Sequence, residues 1–254
     1  MSDPSPATPP ERAPASASAS EPASASVWAE WVESGRLVFE EAARGLRPAD
    51  VAAPCALPGW SRGHLLTHVA RNADALVNLL DWARTGLPTP MYASAGDRAE
   101  QIERGAARGP AEQLRDVAES SARFAAATDS LGEEHWARTV VSGRGRRIPA
   151  REVLWLRARE LWVHLVDLDV GHGFAALPDG FGHALVQDVA TGLDGRTGVR
   201  VTVHVPGGAP VTFGSGAPVE VRGDLDRVLP WMTGRPGPLP YGPAGGIPAL
   251  PSWL

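Results

Sequence analysis

Two short stretches place side chains of metal-binding or catalytic type at helical spacing. GHLLTH holds His64 and His68 at i and i+4, and RELWVHLVD holds Glu160 and His164 at i and i+4. Residues four apart on a helix share a face, so each pair can converge on one point. Glu and His side chains projecting inward from neighbouring helices are one way a bundle builds a metal site. One histidine of the first pair, with Glu160 and His164, would supply three N/O ligands. Three such ligands with an open fourth position is the arrangement of catalytic zinc. The same spacings also suit plainer roles: histidines on a surface or core face, and a Glu160–His164 ion pair within one helix. Neither pair forms H-E-x-x-H, so the metalloprotease signature is missing.

Other chemistry finds less support. Cys55, the one cysteine, lies in the loop segment APCALPG with no cationic neighbour to lower its pKa, and reads as incidental. No G-x-S-x-G elbow, P-loop or dinucleotide fingerprint occurs. Asp167 and Asp169 flank the end of the helix that carries Glu160 and His164. Either could hold a ligand histidine by its second nitrogen, or could be solvated. His172, His183 and His204 fall in loop, helix and strand contexts without an evident partner. The nine tryptophans sit mostly at core-facing helical positions.

These residues need a frame to position them. Residues 1–26 are almost all Ala, Ser and Pro and predict a disordered tail. From Val27, Trp28, Trp31, Val32, Leu37, Val38 and Phe39 form a helical stripe that Pro48 and Pro54 interrupt. Ser61 is the expected N-cap of a second helix, about Arg62 to Arg84. A third starts near Gly109-Pro110, VVSGRGRRIPA reads as an irregular or hairpin-like link, and a fourth runs from Ala150 to about Asp169. Four helices with apolar inner faces predict a bundle. After Gly173 the pattern changes: a helix near Phe181–Leu193, then strand-like VRVTVHV, PVTF and APVEVRG, then a short helix capped by Asp224. The tail GPLPYGPAGGIPALPSWL predicts a surface run. The fold class is α+β, with a bundle over 27–173 and a small α/β domain over 174–254.

Composition narrows the function classes. The 254 residues carry 24 cations and 29 anions, for a net charge of -5, and every cation is arginine. A mildly acidic chain does not suit general nucleic-acid binding. One cysteine excludes a disulfide framework and a cysteine-based zinc cluster. No apolar run approaches the roughly 20 residues of a membrane span. The expectation is a soluble, cytoplasmic protein without nucleic-acid or membrane partners, for which a monomer is compatible. Arginine without lysine, with 28 Gly and 24 Pro, suggests a GC-rich, actinobacterial type of source.

The segments LPGWSRGHLLTHVARNADALVNLLDWARTG, TPMY, IPAREVLWLRARELWVHLVDLDVG and LPSWL, in that order, resemble the mycothiol-dependent maleylpyruvate isomerase family from Val27 to Leu254. The resemblance implies a DinB-like four-helix bundle followed by a small C-terminal α/β domain. It implies a divalent metal, typically zinc, on His68, Glu160 and His164, with His64 not a direct ligand. It also implies a functional arginine in a W-x-x-G-R stretch, supplied here by Trp231 to Arg235, with Arg222 in EVRG a nearby rival. Arg235 is thus expected to be the catalytic arginine, pairing with a substrate carboxylate or a developing enolate. Arg71, Asn72 and Arg84 are further polar groups that could reach a ligand or simply form a solvated helix face.

The implied cofactor is mycothiol and the implied substrate maleylpyruvate. A zinc-held thiolate adds to the cis double bond, the bond rotates as a single bond, and elimination leaves fumarylpyruvate, as in gentisate-type aromatic catabolism. The strings RNADALVNLL, WARTG and TPMY resemble the isomerase branch. Other branches are mycothiol S-transferases or have no assigned substrate. A non-enzymatic metal-binding protein, or a structural bundle without metal, is the remaining alternative.

Overall fold

Trp31, Gly35, Phe39 and Ala43, each four residues after the last, form the buried stripe of α1 (Ala25–Arg44). That spacing keeps one face turned to its neighbours. The computed structural model describes residues 25–244 and 246–253. The tail expected over 1–26 therefore lies, as far as residue 24, outside the described residues. Its last two residues open α1.

Three more long helices complete a bundle. Ser61 caps α3 (Arg62–Thr85) by accepting the His64 N–H, and Gly86 ends it at φ 78°, a left-handed conformation that favours glycine. Pro110 opens α5 (Pro110–Asp129), where a missing N–H costs nothing. The last is α6 (Glu152–Asp167). α1 packs on α5 and α6, and α3 packs on the same two. The ring order α1–α6–α3–α5 sets the two helices with the candidate ligands, α3 and α6, side by side.

Two helices arise where the sequence predicts none. α2 (Pro48–Ala52) is one turn. α4 (Ala95–Ala106) lies against α3, with Ile102 buried. The contact is close because Gly105 faces Thr67: a Cβ there would sit 2.2 Å from the threonine methyl. The expected link is an antiparallel hairpin, β1 (Thr139–Val141) and β2 (Arg147–Pro149), with Val140 opposite Ile148.

The C-terminal part follows the predicted order: α7 (Phe181–Leu193), β3 (Val199–His204), β4 (Val211–Phe213), β5 (Ala217–Arg222) and α8 (Leu225–Thr233). β3 is central, antiparallel to β4 and parallel to β5. Its buried face, Val201 and Val203 with Phe213 and Val221, joins the core that also holds Leu185 and Val189 of α7. Asp224 takes the N-cap position of α8, but its side chain makes no capping bond. The final segment is not wholly superficial. Trp253 is buried, with Arg159 5.2 Å over its ring.

One core runs through both parts of the chain. Phe181 of α7 meets Trp31 at 5.2 Å and Trp155 at 5.3 Å between ring centroids. The result is an α+β fold, a four-helix bundle with a small sheet-bearing C-terminal part. No helix of the described residues is long and apolar enough to cross a membrane.

The α1–α6 contact gives a direct test. The Trp162 indole donates to the Trp31 carbonyl at 2.9 Å, directly over Gly35, where a Cβ would stand 2.8 Å from that indole nitrogen. Overpacking a filled core costs about 1–3 kcal/mol. Gly35→Val is expected to lower unfolding stability by about that amount in a urea titration. An unchanged midpoint would contradict this packing.

Candidate metal centre

The capped start of α3 fixes the rotation of its first turns, and His68 falls on the side that meets α6. There the three predicted groups converge. His68 Nε2 lies 3.1 Å from His164 Nε2, and Glu160 Oε2 lies 3.2 Å from each. A tetrahedral metal with N and O bonds of about 2.0 Å spaces its ligands by about 3.3 Å. The triangle therefore fits three corners of such a site. Glu160 Oε2 is buried and receives no well-formed hydrogen bond. A buried acceptor left without a partner costs about 1–3 kcal/mol, and a cation at the centre of the triangle would satisfy it. Among the described residues, this is the group of three His, Cys, Asp or Glu side chains placed to hold a metal ion.

The neighbours set the proton inventory. Asp167 Oδ2 lies 2.9 Å from His164 Nδ1. A carboxylate can only accept, so Nδ1 carries the proton and Nε2 turns its lone pair to the triangle. Burial opposes the charge on Glu160, yet the two imidazoles beside it hold its pKa well below the usual carboxylate range. Burial likewise works against a charged His164, but Asp167 and Glu160 outweigh it and raise its pKa. His68 is pushed down, chiefly by burial.

The arginine expected to meet substrate is committed elsewhere. α8 ends at Gly234 with φ 71°, which turns Arg235 back toward α6. Its Nε donates to Asp167 Oδ1 at 3.0 Å, its Nη2 to Asp167 Oδ2 at 2.8 Å, and its Nη1 to the Thr233 carbonyl at 2.9 Å. Such a two-pronged pair is geometrically specific. Asp167 is 0% exposed. Burial disfavours its charge, but His164 and Arg235 prevail and hold its carboxyl below the usual range. Arg222, the rival, ends β5 with an exposed guanidinium 3.9 Å from Glu220.

The remaining sequence candidates separate cleanly. His64 bonds Ser61 and approaches Glu103 rather than the triangle. Asp169 adopts φ 55° and turns to the surface, 3.7 Å from Arg62. Arg71 pairs with Asp116 and Asp74, and Arg84 with Asp81. Asn72 is buried and accepts from Arg157. Burial raises the pKa of the Cys55 thiol, which suits an unreactive cysteine.

Three residues beside the triangle were not singled out in the sequence. Trp60 stands edge-on to His68 at 5.5 Å. Arg98 of α4 places Nη2 3.2 Å from His68 Nδ1 and stacks over Tyr92 at 5.7 Å. Among the described residues, Arg98 has no carboxylate within 4.0 Å. The available signal was Ser94-x-x-Asp97, a helix start in which Ser94 accepts the Asp97 N–H at 3.0 Å.

The Asp167 bridge predicts a metal-affinity effect. Groups that orient a metal ligand are typically worth tenfold to a hundredfold in affinity. Asp167→Asn and Arg235→Ala should each weaken zinc binding by roughly that range in a chelator competition. Wild-type affinity in both would show that the bridge does not support the centre.

Comparison with known proteins places this geometry in context. The family model described as the mycothiol maleylpyruvate isomerase N-terminal domain matches residues 27–169. Two crystal structures, the mycothiol-dependent maleylpyruvate isomerase and a histidine-to-alanine mutant of it, each show 28% identity and a TM-score of 0.84. Each match covers 91% of this chain and 98% of that one. No curated protein matches the chain in the corresponding search. The matched segment contains His68, Glu160 and His164 and spans more than half of the sequence, so the chain belongs to the mycothiol maleylpyruvate isomerase family.

Proposed function

We propose that the protein is a cytoplasmic, mycothiol-dependent maleylpyruvate isomerase that converts maleylpyruvate to fumarylpyruvate on a zinc centre formed by His68, Glu160 and His164. The observation that carries this reading is the 3.1–3.2 Å triangle of two imidazoles and one carboxylate. It is supported by likeness to a mycothiol-dependent maleylpyruvate isomerase along nearly the whole chain. Zinc suits the set because it accepts nitrogen and oxygen donors together with a soft sulfur. Metal and mycothiol together supply a thiolate near neutral pH, the nucleophile that reversible addition to an activated cis double bond requires.

The chain's own residues prepare the place where that chemistry occurs. Glu160 contributes one negative charge and the histidines none, so the set leaves a divalent ion with net positive charge for an anionic partner. Asp167 fixes the His164 ring, and Arg235 fixes Asp167. Arg235 therefore acts through His164. The substrate carries carboxylates, and Arg98 is the cation best placed to receive one. With a metal held on His68 Nε2 the ring proton would sit on Nδ1, and two donors cannot share a hydrogen bond. The Arg98 guanidinium then needs an anionic acceptor, which a substrate carboxylate supplies.

The test is to load the purified chain with zinc, add mycothiol, and follow loss of the cis isomer together with free thiol. Isomerisation without net consumption of thiol is expected. Consumption of thiol into a stable conjugate, without isomerisation, would instead identify an S-transferase. Arg98→Ala should retain zinc and raise KM for maleylpyruvate by about tenfold or more, the size of a lost charged hydrogen bond. An unchanged KM would remove Arg98 from substrate binding.

A further inference from the structure

One buried cation has no role in the account so far. Arg157, at 1% exposure, is the largest fully buried side chain among the described residues. It has no carboxylate within 4.0 Å among the described residues. Its Nη1 donates to the Val69 carbonyl at 2.8 Å and to Asn72 Oδ1 at 3.1 Å. The Phe124 ring lies 5.9 Å from the guanidinium carbon, and Nη2 has no hydrogen-bond partner. Burial pushes its pKa down to about 10, against the opposing charges of Glu160, Asp74 and Glu40, so it stays protonated at neutral pH.

This is an expensive way to fill a core. A buried charge paired only with neutral acceptors loses more hydration than it recovers, and well-packed hydrophobic residues often serve stability better. Apolar Leu154, Phe124 and Leu161 line the same cavity as Arg157, beside polar Ser121, Thr128 and Asp129. Its position indicates what the charge accomplishes. Arg157 precedes Glu160 by three residues and His164 by seven, so it lies on their face of α6. Its acceptors belong to α3: Val69 follows His68 directly, and Asn72 lies one turn after it. The guanidinium thus ties together the two helices that supply the three ligands, one turn from the triangle.

We propose that Arg157 is a positioning residue of the metal centre, a rigid strut between α3 and α6 that sets the distance from His68 to Glu160 and His164. The inference rests on the metal reading of that triad. A planar, always-charged fork suits the task, since it reaches a backbone carbonyl and a side-chain amide in one fixed geometry.

The experiment is cobalt(II) titration of the full-length apoprotein, followed by the visible spectrum, with thermal unfolding recorded in parallel. Arg157→Met is expected to unfold no earlier than the wild type. Its cobalt affinity should nevertheless fall roughly tenfold to a hundredfold, with a changed ligand-field spectrum. Asn72→Leu removes one acceptor and should shift affinity and spectrum in the same direction; it decides the matter if Arg157→Met does not fold. Wild-type affinity and spectrum in the folded variants would overturn the strut. Failure of the wild type itself to bind cobalt, or full binding by His68→Ala, would instead refute the metal reading beneath it.

Discussion

Asp167 has no access to solvent, and its carboxylate is shared between two parts of the chain. One oxygen meets His164 Nδ1 on its own helix, and both meet the Arg235 guanidinium beyond the end of α8. A buried carboxylate is tolerated only when such partners replace water. The consequence runs in both directions. The C-terminal part is held to the bundle at a charged contact as well as through Phe181 and the tryptophans, and the carboxylate that orients the His164 ring is itself held by Arg235, which the bundle alone does not supply. The family model ends at residue 169, whereas the arginine that holds Asp167 lies well beyond it.

The centre gathers charge in a chain whose total charge is slightly negative. Half-buried Glu160 and fully buried Asp167 share the centre's neighbourhood with Arg98, Arg157 and Arg235, each held differently. Arg235 makes a two-pronged ion pair, Arg157 bonds neutral acceptors, and Arg98 touches an imidazole and a phenol ring. For an anionic ligand the local field matters more than the net charge of -5. In the proposed reading the three arginines have separate roles: Arg235 and Arg157 support the ligand helices, and Arg98 receives the anionic ligand.

Much of this was legible in the sequence because helical periodicity is local. His64 and His68, and Glu160 and His164, had to share faces at i and i+4, and the capping signal at Ser61 fixed where the first pair begins. The alternation in VRVTVHV marked β3, and Phe181–Leu193 appears as α7 with the expected bounds. α4 was not legible. It carries two glycines and one large aliphatic residue, Ile102, and its contact with α3 relies on Gly105 lying against Thr67. Arg98 was hidden with it. The choice between Asp167 and Asp169 depends on a left-handed turn at Asp169, which no spacing rule predicts. The partner of Arg235 is 68 residues away in sequence, so the resemblance could mark the arginine without saying what it touches. Trp253 ends a Pro/Gly-rich run whose composition suggested only a surface path, yet it fills a gap beside Gly192.

The central claim is that His68, Glu160 and His164 hold one metal ion through Nε2, Oε2 and Nε2. Anomalous X-ray diffraction at the zinc edge on crystals of the zinc-loaded protein tests it most directly. A single strong anomalous peak is expected about 2 Å from each of those three atoms. A peak elsewhere, or none within bonding distance of all three in zinc-saturated crystals, would contradict it.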